Sequence, residues 1–335
     1  MPRLKYWQAV REALREEMIR DQDVVLFGED VGFAGGPYGA SIGLQEQFGT
    51  RVRDTPISEQ ALMGVATGAA LAGLRPVVEI MYMDFLLLAS DQLINTAANM
   101  HWMSGGELNA PLVVRTLYGG GLGHGPQHGK SLEAWLCHVP GLKVVWPYSP
   151  DDAKGILKAA IRDDNPVVVI DSLSCWTTYG EVPDTPELVE IGVARIRRQG
   201  NDVTVVSWGD CVGKCLLAAE ALAQDGIETE VIDLRTLSPM DERAIFKSVA
   251  HTNRLVIAHN AVRSGGLGAE IEARVGTELF GELKAPIQRV CAPFSPVPFS
   301  KVLENEYFPS AADIVTAVRG VVNYSAPAGI RNLTG

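Results

Sequence analysis

Short runs of valine and isoleucine recur along this chain, and the segments between them carry apolar residues at helical spacing. Runs that are apolar throughout belong to strands buried on both faces, and strands separated by helices build a mostly parallel sheet. The expected fold class is therefore α/β. Strands are expected at Val24–Gly28, Val77–Met81, Leu112–Thr116, Lys143–Trp146 and Val167–Asp171, with helices starting near Leu4, Ser58, Asp84 and Ser149. The last start has Ser149 at the cap, Pro150 at the first helical position, and Asp151 and Asp152 in the positive first turn. From Thr178 to Gly200 the pattern lapses, and from Val203 it resumes: strands at Val203–Trp208, Thr229–Leu234, Leu255–His259 and Gln288–Cys291, helices at Val212–Gln224, Asp241–Ala250, Gly268–Phe280 and Ala311–Val322. Two α/β domains are expected, consistent with 335 residues at roughly 150 per domain.

Charge narrows the partners. The formal net charge is −11 and no basic run interrupts the sequence, which disfavours nucleic acid. The most apolar stretch, Leu62–Ile94, is broken by Arg75, Pro76, Glu79, Asp84 and Asp91, which argues against a membrane span. The first residues are amphipathic and of mixed charge, without an export signal. The expected location is the cytoplasm or an organelle matrix. Five cysteines are few for this length, and the pair Cys211 and Cys215 reads as small buried hydrophobes on one helix face.

Four places could carry chemistry. Glu59 follows Pro56 and Ser58 at the start of an apolar-period helix, where a carboxylate complements the helix dipole; the residues alone leave open whether it does more. The segment Gly119–Ser131, GGGLGHGPQHGKS, puts His124, His128 and Lys130 on a glycine-rich loop after a strand, where open α/β sheets place ligands. It is not a phosphate loop of Walker type, because that motif needs glycine where His124 stands. Met81–Phe85, MYMDF, leaves a strand with two methionines and two aromatics and reads as core. Glu29 and Asp30 end a buried strand, where solvation makes a charge inexpensive.

Taken in order, GEDVG, RDTPISE, RPVVEIMYMDF, DQLINTAANMHWMSGG, QH with LEAW, HVPGLKVVWPYSPDDAKGILKAAIRDDNPVV, EVIDLRTLSPMDE and VPFSKVLE span nearly the whole chain. With these segments the chain resembles the beta subunits of thiamine-diphosphate-dependent 2-oxo acid dehydrogenases. That group acts on pyruvate, branched-chain 2-oxo acids or acetoin and lies within the transketolase-like superfamily. The resemblance implies a pyrimidine-binding domain over 1–185, a linker over 186–200 and a transketolase C-terminal-like domain over 201–335. It implies an alpha-type partner in an alpha2beta2 heterotetramer, a lipoyl acyltransferase core and a small 2-oxo acid substrate.

On the same ground Glu59 is expected to hydrogen-bond the cofactor's aminopyrimidine, His128 to move a proton or orient the acyl group, and Glu29 to relay protons. Phe85 would stack on the pyrimidine and Ile57 would line the same pocket. A structural potassium ion would lie among backbone oxygens of Leu112, Ala160, Ile161, Asp163 and Asn165. The chain lacks the GDG…NN motif that holds the diphosphate through magnesium, since Gly209-Asp210 runs on into Cys211, so magnesium is expected mainly on the partner. Departures from the family pattern include Gly129-Lys130 after the histidine, Asp171-Ser172-Leu173, Asn260 and Phe294-Ser295. They bear on the acyl acceptor, and a split transketolase-like or acyloin-forming carboligase stands as the alternative reading.

Overall fold

Fourteen strands order the described residues, 2–183 and 188–325, of a computed structural model. In chain order they are β1 Arg3–Lys5, β2 Val24–Gly28, β3 Val52–Asp54, β4 Arg75–Ile80, β5 Val113–Tyr118, β6 Lys143–Val145, β7 Val167–Ser172, β8 Tyr179–Glu181, β9 Arg195–Arg198, β10 Val203–Ser207, β11 Thr229–Asp233, β12 Thr236–Ser238, β13 Leu255–Val262 and β14 Gln288–Ala292. Seven of them form one sheet in the order β12-β6-β7-β5-β4-β2-β3, parallel except for β12. Five form a second, β14-β13-β10-β11-β9, parallel except for β9. The fold is thus the expected two-sheet α/β architecture. No helix among the described residues is long and apolar enough to cross a membrane.

The sheets form because their strands are apolar on both sides. All residues of β2, β5 and β7 are buried. Alternate residues serve opposite faces: Val25, Phe27, Val78 and Val114 pack with Leu62, Met63 and Ala66 of the helix Glu59–Leu71, whereas Val24, Leu26, Val77 and Val113 pack with Val10 and Leu14 of the helix Tyr6–Arg20 and Leu157 of the helix Pro150–Arg162. The first of these clusters runs on without a break into Val206, Trp208, Ile232 and Ile257 of the second sheet.

Five strands escape the sequence pattern, β1, β3, β8, β9 and β12; β1 and β8 pair as a short antiparallel sheet of their own, and β12 and β9 join the halves. β12 pairs antiparallel with β6 in the first sheet, and the Trp146 amide donates to the Arg235 carbonyl at 2.7 Å. β9, of sequence RIRR, lies in the stretch expected to be linker and forms the edge of the second sheet. Its arginines are held by acids: Arg195 pairs with Asp151, and Arg197 with Asp152 and with Asp233 at 2.8 Å. The expected boundary at 185–186 lies outside the described residues. The expected cap at Ser149 is corrected in one respect. Its hydroxyl donates to the Asp152 side chain at 3.2 Å and accepts from Arg197 at 3.0 Å, and makes no bond to a helix amide. Cys211 and Cys215 are buried and unbridged, as expected of small apolar residues.

His259 on β13 ties stability to pH. It is fully buried, lies stacked on Trp208 at 5.0 Å, and places Nε2 3.3 Å from Cys291 Sγ, while Nδ1 has no partner. Burial, and secondarily the charge of Arg289, pushes it down to about 3. A histidine depressed in the folded state favours folding above its unfolded value and loses that contribution as pH falls from about 6.5 toward 3. Asp233, raised to about 6 by burial against the attraction of Arg197, acts oppositely: its contribution is full below about 4 and fades as pH rises through 6. Thermal melts of His259→Gln should therefore show a shallower decline below pH 6.5 than the wild type. An identical acid slope would remove His259 from the account.

Candidate active site

The parallel neighbours β3, β2, β4 and β5 end side by side, with Gly28 in register with both Asp54 and Glu79, and Ile80 with Thr116. The residues expected to act leave from those carboxyl ends, the edge at which open α/β sheets bind ligands. Glu29 follows β2, Ile57 and Glu59 follow β3, Phe85 follows β4, and His124 and His128 follow β5. Fold topology thus gathers positions up to a hundred residues apart onto one edge.

Glu59 is the first residue of its helix and 7% exposed. Ser58 stands at the cap position, but its hydroxyl makes no cap bond. Among the described residues the Glu59 carboxylate takes no hydrogen bond from the rest of the chain, and its oxygens are not sealed from solvent, so they are free to meet a ligand. Glu29 is buried too, and burial, then the charges of Glu59 and Asp30, holds it above the ordinary carboxylate range. Two acids close enough to perturb one another, one already raised, suit proton transfer.

An aromatic group forms the neighbouring wall. Tyr82 meets His128 edge to face at 4.8 Å, Phe85 at 5.8 Å and His124 at 5.7 Å, and Phe85 meets His128 at 5.2 Å. The Tyr82 hydroxyl also bonds the Tyr38 hydroxyl and lies 3.4 Å from His124 Nδ1. Tyr38 and Tyr82 were not among the residues expected from sequence, where an aromatic in MYMDF is indistinguishable from core. The loop can pass this close only because it has no side chain at Gly119, where a Cβ would sit 2.3 Å from the His128 carbonyl and 2.8 Å from the Tyr82 ring. Lys130, one of the departures from the family pattern, pairs with buried Asp84 at 3.0 Å.

Ile57, expected to line the same pocket, has its side chain 81% exposed at this edge of the chain. An open cleft of about 620 Å³ runs between Cys137, His138 and Leu237–Met240 and includes neither Glu59 nor Phe85.

Of the positions expected around a cation, Ala160, Ile161, Asp163 and Asn165 lie between the end of the helix Pro150–Arg162 and β7, and Leu112 precedes β5 beside Val167. The Asp163 amide donates to Ala160 O at 3.2 Å, the Val167 amide to Leu112 O at 3.0 Å, and Asn165 N to Asp163 Oδ1 at 2.9 Å. Arg75 Nη1 already donates to Ile161 O at 3.1 Å and Asp163 O at 3.0 Å. Each carbonyl keeps a second lone pair, so the donor set fits a cation, one that would sit beside a guanidinium. Asp210, the acid of the truncated GD pair, accepts from Asn260 at 2.8 Å and Ser172 at 3.3 Å.

Comparison with known proteins agrees with this geometry. Residues 3–173 match the transketolase pyrimidine binding domain, and residues 192–314 the transketolase C-terminal domain. The beta subunit of acetoin:2,6-dichlorophenolindophenol oxidoreductase from Cupriavidus necator is 43% identical over 93% of this chain and 95% of its own length. The pyruvate dehydrogenase E1 beta subunit of Rickettsia felis is 45% identical over 95% of this chain and 98% of its own length. The mitochondrial one of Homo sapiens is 43% identical over 94% and 89%. A solved split-gene transketolase, an inactive beta4 tetramer, shares the fold with a TM-score of 0.76 at 24% identity, covering 94% of this chain and 97% of its own. The chain belongs to the transketolase-like family of 2-oxo acid dehydrogenase E1 beta subunits, which includes those of the pyruvate and acetoin enzymes.

Proposed function

We propose that this chain, joined to an alpha-type subunit in an alpha2beta2 heterotetramer, catalyses thiamine-diphosphate-dependent oxidative decarboxylation of a 2-oxo acid and acylates a lipoyl group. The acyltransferase core carries that group. The observation that carries the reading is the buried, unpartnered Glu59 carboxyl beside Glu29, at the same sheet edge as Phe85 and His128. When bound, thiamine diphosphate supplies the nucleophilic carbon and the electron sink that decarboxylation needs. Glu59 holds a proton against a ring nitrogen of the cofactor's pyrimidine, and Phe85 offers that ring an aromatic face. Ile57, exposed in the single chain, covers the pyrimidine once the partner closes the site. His128 donates or accepts a proton as the acyl group leaves, and Glu29, held above the ordinary carboxylate range by burial and by its acidic neighbours, passes protons between Glu59 and solvent. Magnesium and the diphosphate belong mainly to the alpha chain, and potassium to the oxygens of Leu112, Ala160, Ile161, Asp163 and Asn165.

The altered surroundings of His128, where Lys130 pairs with Asp84, support a second reading, in which a carboligase hands the two-carbon unit to an aldehyde. Co-expression with the neighbouring alpha-type chain, then titration with thiamine diphosphate while following pyruvate and acetoin consumption, tests both. Binding and turnover by the pair only, with the acyl group of the 2-oxo acid recovered as S-acyl-dihydrolipoamide when lipoamide is supplied, is the expected result. A carbon–carbon product formed without lipoamide supports the carboligase, and cofactor binding by this chain alone overturns the divided site.

A further inference from the structure

Of the buried acids that the mechanism above does not use, Glu304 is one that touches the histidine loop. Glu304 belongs to the C-terminal half, on the short helix Lys301–Tyr307, and is 1% exposed. Its two carboxylate oxygens reach across to the histidine loop: the Gly121 amide donates to Oε1 at 2.9 Å and the Gly123 amide to Oε2 at 2.8 Å. Lys301 Nζ completes the contact, bonding Gly121 O and lying 3.5 Å from Glu304 Oε2. Nearby, the Phe299 ring fills the space a Cβ at Gly125 would need, and Val297 lies 3.3 Å from where a Cβ at Gly129 would be.

The loop needs such a template. Gly121, Gly123 and Gly125 all have positive φ, at 86°, 76° and 68°. Glycines in that region lose more conformational entropy on ordering than any other residue, so a run of them holds one shape only if something outside fixes it. Two charge-assisted bonds from a single buried carboxylate to alternate amides do this strongly, because each is shorter and stronger than a neutral bond. The segment they fix lies between the strand end at Tyr118 and His128, and the placement of His128 against Tyr82 and Phe85 depends on it.

We propose that Glu304 is a positioning residue of the active site: it clamps the glycine loop through the Gly121 and Gly123 amides and so sets His128 from the other half of the molecule. This rests on the role assigned to His128 above. A displacement of about 1 Å in a reacting group lowers turnover by as much as 10²-fold, and that scale applies to loss of the clamp. Glu304→Gln keeps one acceptor and has intermediate behaviour.

The test uses the reconstituted two-chain complex as wild type, Glu304→Gln and Glu304→Ala, with pyruvate and acetoin as probes and dichlorophenolindophenol as electron acceptor. Amide hydrogen exchange is followed over residues 119–129 and over β10 and β13. The expected result is exchange raised at least tenfold in Glu304→Ala at the loop alone, with kcat lowered ten- to a hundredfold, KM changed less than threefold, and Glu304→Gln between. Unchanged loop exchange overturns the clamp, and equal acceleration in β10 and β13 reduces Glu304 to general stability. A loosened loop with unaltered kcat removes the link to His128. Where the wild type turns over neither these probes nor branched-chain 2-oxo acids, the functional reading fails, while loop exchange still decides the clamp.

Discussion

Glu59→Gln, in a complex reconstituted with the alpha-type chain, should lose about 10²–10⁴-fold in kcat, the range expected when a positioned proton-transfer group is removed. The substitution is nearly isosteric and retains a hydrogen-bonding side chain, so affinity for thiamine diphosphate should fall much less than turnover. Folding should not suffer. The Glu59 carboxylate takes no hydrogen bond from the described residues of its own chain, so a near-isosteric neutral amide removes no bond within the chain. The thermal midpoint of the isolated chain should therefore stay level. Steady-state dye reduction, a cofactor titration and a melt together separate these effects. Turnover within threefold of wild type would remove Glu59 from the mechanism, and a lowered midpoint would show that it bears structural load.

Arg115→Met should produce the opposite profile, a large loss of stability from a residue outside the chemistry. Arg115 is 1% exposed; its Nη1 lies 2.5 Å from Glu79 Oε2 and its Nε 2.8 Å from Asp171 Oδ2, while Tyr6 donates to Asp171 Oδ1 at 2.7 Å. Glu79 lies opposite Arg115 in register across β4 and β5, and Asp171 lies on β7, so one cation serves acids from both neighbouring strands. Removing it leaves two buried carboxylates unpaired, a loss of about 3–5 kcal/mol, or roughly 10 °C in Tm. Protonation neutralises carboxylates left without their cation, so the variant should recover relative to wild type on acidification. Adding Glu79→Gln and Asp171→Asn should restore most of the loss at neutral pH. A single variant that melts within 2 °C of wild type would show that water reaches the pair and that the triad is not the anchor between these strands.

These two residues illustrate what could be read in advance. Glu59 was marked by its place in RDTPISE, although its residue pattern alone fits a helix start equally well, because a first-turn carboxylate satisfies the dipole whether or not it also meets a ligand. Arg115 was silent, because an arginine inside VVRTLY looks like a break in a strand until acids from two other strands are seen around it. Tyr82 was likewise hidden in an apolar segment, and Glu304 lies about 180 positions from the loop it touches. The β9 arginines show the same limit, since a strand made of charges carries no apolar period and becomes a strand only when Asp151, Asp152 and Asp233 arrive beside it.

The sequence by itself determined the α/β class, the apolar parallel strands and the long helices of both halves, and the family. Each of these follows from local apolar period or from a collinear order of short motifs, which the chain carries without folding. The tertiary structure alone decided that β12 crosses into the first sheet, that Tyr82 gathers Phe85, His124 and His128, that Glu304 grips the glycine loop, and that Ile57 stands exposed at the carboxyl edge. The reason is physical. Pairing, burial and hydrogen bonding between distant segments depend on where strands are brought together, and local residue patterns carry no record of that distance.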